Sequence, residues 1–424
     1  MIFNESIYNK SWNVKKLNEL GTFTRGKSKH RPRNDFRLFE NGNYPFIQTG
    51  DIKNAILYVT SHTKNYNDFG LKQSKLWKAG TLCITIAANI ADTAILSYPM
   101  CFPDSIVGFV ADIKESSEIF MHYIFIYIQK YIQNSVTGSI QDNINIDYLQ
   151  NLEFRIPLKE HQDKIALILS SIDKKIELNN KINSELENMA KTIYDYWFLQ
   201  FEFPNEEGKP YKSSGGKMIW NEELKKEIPE KFNRMVLKNI DGITVITGKT
   251  PSTKEEDNFG NDVMFITIED LRKNTFIVDT NRKLSIKGAN TQKNKYIPKG
   301  SICVSCIATI GEIAISTESS QTNQQINSII AKEIKIKNYL YFCLKNIFSN
   351  FKVKSGNIFS NMNKEEFENI KILLPNKEVL DKFYERINSL LIKIEKNTKE
   401  TQELTSLRDY LLPLLMNGQV GFKD

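Results

Sequence analysis

The sequence predicts an α+β protein: two tandem-repeated α+β domains separated by two long helices, which form an antiparallel coiled coil and relate the halves by a pseudo-twofold axis. Three observations carry this prediction. The chain is internally duplicated, each copy mixes short β-like runs with turn punctuation, and each copy ends in a long stretch of heptad-spaced apolar residues.

The duplication has an offset of about 220 residues. "KAGTLCITIAANIADTAI" (Lys78–Ile95) aligns without gaps to "PKGSICVSCIATIGEIAI" (Pro298–Ile315), pairing Gly80 with Gly300 and Cys83 with Cys303. "NLEFRIP" (Asn151–Pro157) matches "NIKILLP" (Asn369–Pro375). A chain of 424 residues is long enough for two or three domains. Two long copies are too few for a solenoid and read as tandem modules.

In the first copy "YPFIQ", "TLCITIA" and "SIVGFV" read as strands, and Ser117–Gln133 as a helix. In the second, "VMFITI" and "SICVSCIA" read as strands. The expected boundaries are a first module at 1–157, a first long helix at 158–203, a connector at 204–228, a second module at 229–375, and a second long helix with a C-terminal tail at 376–424. The connector includes most of "FPNEEGKPYKSSGGKM" (Phe203–Met218), whose Pro, Gly and Ser favour turns over a third domain.

The long helices show steps of four and three. One seam runs through Ile172, Ile176, Asn179, Leu186 and Trp197, the other through Leu390, Ile394, Asn397, Leu404 and Leu411. Both turn polar at the same place, at Asn179 and Asn183 in one and Asn397 and Thr401 in the other. Seam asparagines lower stability but fix register. The matched length and polar step predict that the helices pair with each other. Antiparallel pairing puts one module at each end of a rod of roughly 55–60 Å, from about 38 residues at 1.5 Å rise.

Composition bounds the function. The chain is 41% hydrophobic and 25% charged, with a net charge of +7, which suits a globular protein and permits nucleic-acid binding without establishing it. No run approaches the ~18 apolar residues of a membrane span, and "MIFNESIYNK" lacks the basic-then-apolar pattern of an export signal. Five cysteines in such a chain are expected to be reduced thiols in a cytoplasmic protein.

"GTFTRGKS" (Gly21–Ser28) matches the phosphate-loop pattern G-x-x-x-x-G-K-[ST], which would make the protein a nucleotide hydrolase using Lys27. The context argues against it. Pro32 and a polar stretch come next, and the duplicate "GITVITGKT" has the wrong glycine spacing, with Pro251 at its end. Cys303-x-x-Cys306 lacks a second ligand pair, so no metal site is expected, and no arrangement points to catalytic residues. From Arg25 to Arg37 the chain carries six Lys/Arg, one His and one acid, a density that calls for an anion such as DNA phosphate.

The tandem architecture resembles the specificity subunit of type I restriction–modification systems. So do "YDYWFLQFEFPNEEGKPYKSSGGKM" (Tyr194–Met218), which is similar to their connector, and "LRDYLLPLLMNGQV" (Leu407–Val420), which resembles the end of their second conserved helix. The resemblance covers nearly the whole chain. It implies that each module is a target-recognition domain reading one half of a bipartite, asymmetric site in double-stranded DNA. It implies further that the helices separate the half-sites and dock two methyltransferase subunits, with restriction/translocase subunits joining the assembly. S-adenosylmethionine, Mg²⁺ and ATP would belong to those partners; this chain would bind no cofactor or metal and would not itself be an enzyme. A rod of this length spans at most about 17 base pairs at 3.4 Å each.

Phosphate contacts are expected from Arg25, Lys27, Lys29, Arg31 and Arg33, with Lys249 and Lys254 in the second module. Base-edge readers are sought among Gln48, Thr49 and Asp51, matched by Thr267, Glu269 and Asp270. Two further matched polar loops supply Ser139 and Gln141 in "TGSIQDN", and Ser355 and Asn357 in "SGNIFSN". A coiled-coil adaptor that never touches DNA is the remaining alternative.

Overall fold

In the computed structural model the structure describes residues 7–87, 90–137, 146–272, 274–355 and 361–422. The chain divides into two compact units: Met1–Leu178 with Glu403–Asp424, and Asn179–Gln402.

The first unit is built on a five-stranded sheet in the order Gly21–Arg25, Ile106–Ala111, Leu82–Thr85, Thr93–Leu96, Tyr58–Val59. All neighbours are antiparallel except the last pair. The central strands are buried throughout because both faces are covered, and side chains alternate between two cores. Leu82, Ile84, Ile95, Val107 and Phe109 face the helix Glu118–Thr137, packing on Phe120, Tyr123, Ile124 and Ile128. Cys83, Ala94, Leu96 and Ile106 face the other way, onto Ile47, Ile52, Trp77 and Phe102. This is why "TLCITIA" reads as a continuous apolar run rather than an alternating one. A second sheet has the order Lys64–Tyr66, Tyr44–Phe46, Met100–Cys101, Leu76–Trp77.

The second unit repeats the plan. Its five-stranded sheet has the order Ile243–Thr247, Ile326–Ala331, Ile302–Ser305, Ile313–Ser316, Phe276–Ile277, again with only the last pair parallel. The alternation recurs: Ile302, Val304, Ile313 and Ile315 face one core, Cys303 and Ala314 the other. The matched glycines explain themselves here. Gly80 and Gly300 both have φ of 86°, in the left-handed region where a Cβ is strained, at the turn entering the central strand. The second sheets differ at two strands. Phe259–Gly260 pairs with Lys283–Leu284 in this unit, and the counterpart of Leu76–Trp77 is reduced to a bridge between Ile297 and Ser320.

The long helices are Lys159–Tyr194 and Lys377–Met416. The first ends earlier than its seam predicts: Asp195–Leu199 form a π-helical turn. That turn and the segment after it sink into the second unit's core, with Tyr194, Trp197, Phe198, Phe201 and Phe203 all buried and Trp197 5.9 Å from the Phe383 ring. The connector is also more ordered than the turn composition suggests, since Met218–Asn221 and Lys226–Pro229 form a hairpin.

Each unit contains a stretch of both helices. In the second unit the stretches run antiparallel: Asn179 Nδ2 donates to Glu400 Oε2 (2.9 Å), and Asn183 Nδ2 donates to Thr398 Oγ1 (3.3 Å). Asn397 Nδ2 donates to Asn183 Oδ1 at 3.0 Å. The polar step of the two seams is therefore one hydrogen-bonded layer, although its hydroxyl comes from Thr398 rather than Thr401. In this unit Ile394 is buried and Leu186 and Leu390 half-buried; Ile176, in the first unit, is buried as well. In the first unit, Ile165, Ala166 and Leu169 share a core with Leu412, Leu415 and Met416, while Ile172 is buried and Leu404 and Leu411 half-buried. Asp173, fully buried, accepts from Tyr123 Oη (2.6 Å) and Arg408 Nη1 (2.9 Å).

Candidate nucleic-acid interface

Both modules build the same loop by the same means. In the first, Arg25 ends a strand opposite Val107, and the Gly26 amide donates to the Ile106 carbonyl at 2.8 Å. A Cβ on Gly26 would lie 2.3 Å from the Pro103 carbonyl oxygen, so only glycine fits. The Lys27 carbonyl then accepts from Ser74 Oγ at 2.9 Å, leaving the Lys27 side chain exposed. In the second module the Gly248 amide donates to Ile326 (3.1 Å), and a Cβ there would lie 2.2 Å from the Asn323 carbonyl oxygen. The Lys249 carbonyl accepts from Gln292 Nε2 at 2.7 Å, and Lys249 is exposed. The shared glycine thus serves close packing. Ser74 and Gln292, which clamp the two loops, carry only a weak sequence signal, a polar residue followed by lysine in Ser74-Lys75 and Gln292-Lys293.

This geometry excludes the phosphate-loop reading of "GTFTRGKS". Gly21–Arg25 is strand, its residues paired to Val107–Ala111. The next helical residues after Ser28 are the short 3₁₀ turn Phe36–Leu38. The motif is strand where a phosphate loop would curl, and it leads into no helix whose amides could face a phosphate.

The basic stretch supplies part of its own counter-charge. Arg31 and Arg33 lie 3.7 and 2.5 Å from Asp104, and Arg37 pairs with Asp35 at 2.6 Å. The hydrogen bonds from Arg37 and then His30 hold the Asp35 carboxyl well below the usual carboxylate range. The expectation that this density waits wholly on an external anion is corrected to that extent. Arg25, Lys27 and Lys29 remain exposed, as do Lys249 and Lys254, although Glu255, Glu256 and Asp257 come directly after Lys254.

The base-edge candidates separate into two kinds. The Gln48 amide donates to Asp51 Oδ2 at 2.7 Å, and the Thr267 amide and hydroxyl both donate to Asp270 Oδ2 at 2.8 Å. Asp51 and Asp270 are therefore helix-capping carboxylates, and their match across the repeat has a structural cause. Gln48 and Glu269 are exposed, Thr49 and Thr267 half-buried. Ser139, Gln141 and Asn357 lie outside the described residues; Ser355 ends the helix Ile334–Ser355, and its side chain is likewise not described.

The cysteine pair has no metal geometry. Cys303 and Cys306 belong to cores on opposite faces of one sheet, and burial pushes their thiols up to about 12 and about 11. Among the described residues no group of three or more His, Cys, Asp and Glu is placed to hold a metal, and no helix is long and apolar enough to cross a membrane.

Two like modules, each with a cationic loop braced on its strand ends and each carrying part of a helix pair, define a tandem-domain specificity architecture. The family described as "Type I restriction modification DNA specificity domain" matches residues 9–188 and 229–406, once per module, and the chain belongs to it. It is a DNA sequence-specificity subunit of the type I restriction–modification class. The type I restriction enzyme HindI specificity subunit of Haemophilus influenzae is 30% identical over 450 residues, covering 92% of this chain and 97% of that one. The MjaIX specificity subunit of Methanocaldococcus jannaschii is 26% identical, covering 98% and 95%. A solved S subunit of a type I restriction–modification system from M. genitalium shares the fold over the whole of both chains, with a TM-score of 0.60 at 15% identity.

Proposed function

We propose that residues 1–157 and 229–375 each read one half of a bipartite, asymmetric site in double-stranded DNA. The observation that carries this reading is the matched glycine–lysine loop, braced in both modules at the same strand end with its lysine in solvent. Lysine and arginine on such loops answer phosphate and set register on the duplex. The half-sites differ because the two modules have diverged in sequence; their cationic loops differ as well, the first carrying Lys29, Arg31 and Arg33 and the second three acids directly after Lys254. The segments 158–203 and 376–424, with the connector 204–228, act as spacer and dock two methyltransferase subunits, to which restriction/translocase subunits attach. S-adenosylmethionine, Mg²⁺ and ATP are used by those partners, and this chain, working in the cytoplasm, contributes recognition and no catalysis.

The test is methylation mapping of cells carrying the chain and its methyltransferase, with residues 1–157 exchanged for the corresponding module of another specificity subunit. One half of the methylated motif is expected to change while the other half stays. A motif that survives the exchange intact, or changes in both halves, refutes the modular reading. An adaptor that never touches DNA predicts no salt-dependent DNA binding by the assembled complex.

A further inference from the structure

We propose that Lys75 and Lys293 complete a two-lysine phosphate clamp in each module, Lys27 with Lys75 and Lys249 with Lys293, each pair holding the DNA backbone of its own half-site. The inference rests on the DNA-reading function proposed above and names the part of the duplex that these loops take.

The clamp begins with a bond that joins remote segments. Ser74 Oγ reaches the Lys27 carbonyl across 47 residues of sequence, and Gln292 Nε2 reaches the Lys249 carbonyl across 43. One module uses a hydroxyl and the other an amide, and both tie the lysine loop to the segment that precedes the central strand; in the register of the repeat Gln292 lies two residues ahead of the Ser74 position, and Lys295, which matches Lys75, donates to the Thr247 carbonyl at 3.0 Å. In each module the residue after the donor is a lysine. The bond therefore fixes the backbone of one lysine beside the segment that carries a second.

All four lysines are exposed, and none has an ion-pair partner among the described residues. Nearby Arg31 and Arg33 share Asp104 instead, so the local acid is already engaged. Each pair puts two positive charges on segments joined by a hydrogen bond, and a phosphodiester supplies one negative charge with several acceptor oxygens. The supporting residues are well packed. Lys75 Nζ lies 3.6 Å from the centroid of the Trp77 ring, which stacks on Phe102 at 4.9 Å. Gln292 is buried and also donates to Gln321 Oε1 at 2.8 Å. Lysine is a point-charge donor without a planar fork, so the clamp positions the duplex and reads no base.

The experiment is a salt titration of the full-length chain on a random-sequence duplex of about 40 base pairs, where only backbone contacts count. Lys75→Ala and Lys293→Ala are each expected to flatten the slope of log K against log salt by about 0.9 and to weaken binding roughly fivefold to tenfold near 0.1 M salt. The double variant flattens it by about 1.8. Lys75→Arg and Lys293→Arg keep the wild-type slope, as does Lys225→Ala on the connector hairpin. In cells, Lys75→Ala and Lys293→Ala leave the methylated sequence unaltered. Wild-type slopes in the alanine variants, alongside steep salt dependence in the unmodified chain, overturn the clamp and leave the DNA-reading function standing. A changed methylation motif also overturns it, because the residues would then be reading bases. Absence of duplex binding by the unmodified chain, alone and with its methyltransferase, overturns both.

Discussion

Removing the Arg408 side chain is expected to destabilise the first unit strongly, and the structure sets the scale. Asp173 is fully buried and accepts from Arg408 and Tyr123, while the Arg408 side chain keeps 23% exposure. Arg408→Met leaves a buried carboxylate with one hydroxyl donor. Breaking a buried pair from one side costs about 3–5 kcal/mol. The residual exposure of Arg408 and the surviving Tyr123 bond place this case near the lower figure, about 3 kcal/mol. For a unit of this size that is a fall of roughly 6–12 °C in Tm. The seam register aligns Asp173 with Leu391 and Arg408 with Ala190, and in the second unit those two positions are buried and apolar. Asp173→Leu with Arg408→Ala is therefore expected to recover part of the single-variant loss. The assay is a double-mutant cycle in urea or thermal unfolding of the full chain. If Arg408→Met costs the same whether residue 173 is Asp or Asn, the two side chains are not coupled and the reasoning fails.

Three other residues give predictions of their own. His122 is 1% exposed, and burial, followed by the charge of Arg408, holds its imidazole down at about 3. The folded value lies below the unfolded one near 6.5, so the neutral ring's stability is full above about pH 6.5 and is lost as pH falls toward 3. Between pH 7 and 5 the first unit should lose about 2 kcal/mol, and His122→Gln should abolish that slope in a pH series of unfolding curves; an unchanged slope counts against the assignment. Gly26→Ala and Gly248→Ala would place Cβ atoms 2.3 and 2.2 Å from carbonyl oxygens. Each should cost about 1–3 kcal/mol in unfolding experiments, and wild-type stability in both would show that the loops relax freely.

Much of the architecture was legible because it rests on local pattern. The repeat, the buried central strands and the heptad seams are written in residue spacing, and the matched polar step of the seams marks the layer formed by Asn183, Asn397 and Thr398. The candidate interface was legible only in part. Asp51 and Asp270 look like matched readers in sequence, but their partners are the amides of Gln48 and Thr267, three residues away, and a cap and a base reader use the same residue types. The charge of the basic stretch could be counted, but Asp104, which answers Arg31 and Arg33, lies some seventy residues on.

By itself the sequence determined that there are two modules, that two long helices carry matching seams, and that "GTFTRGKS" lacks the helix a phosphate loop needs. Spacing and periodicity are properties of a chain, and they survive without coordinates. Tertiary structure decided which charges are free, which glycines are forced by a carbonyl in the way, and which distant side chains brace each lysine loop. Those are distances between segments tens to hundreds of residues apart, set by the packing of whole sheets and helices rather than by neighbouring residues. They turned a count of cations into a particular set of lysines.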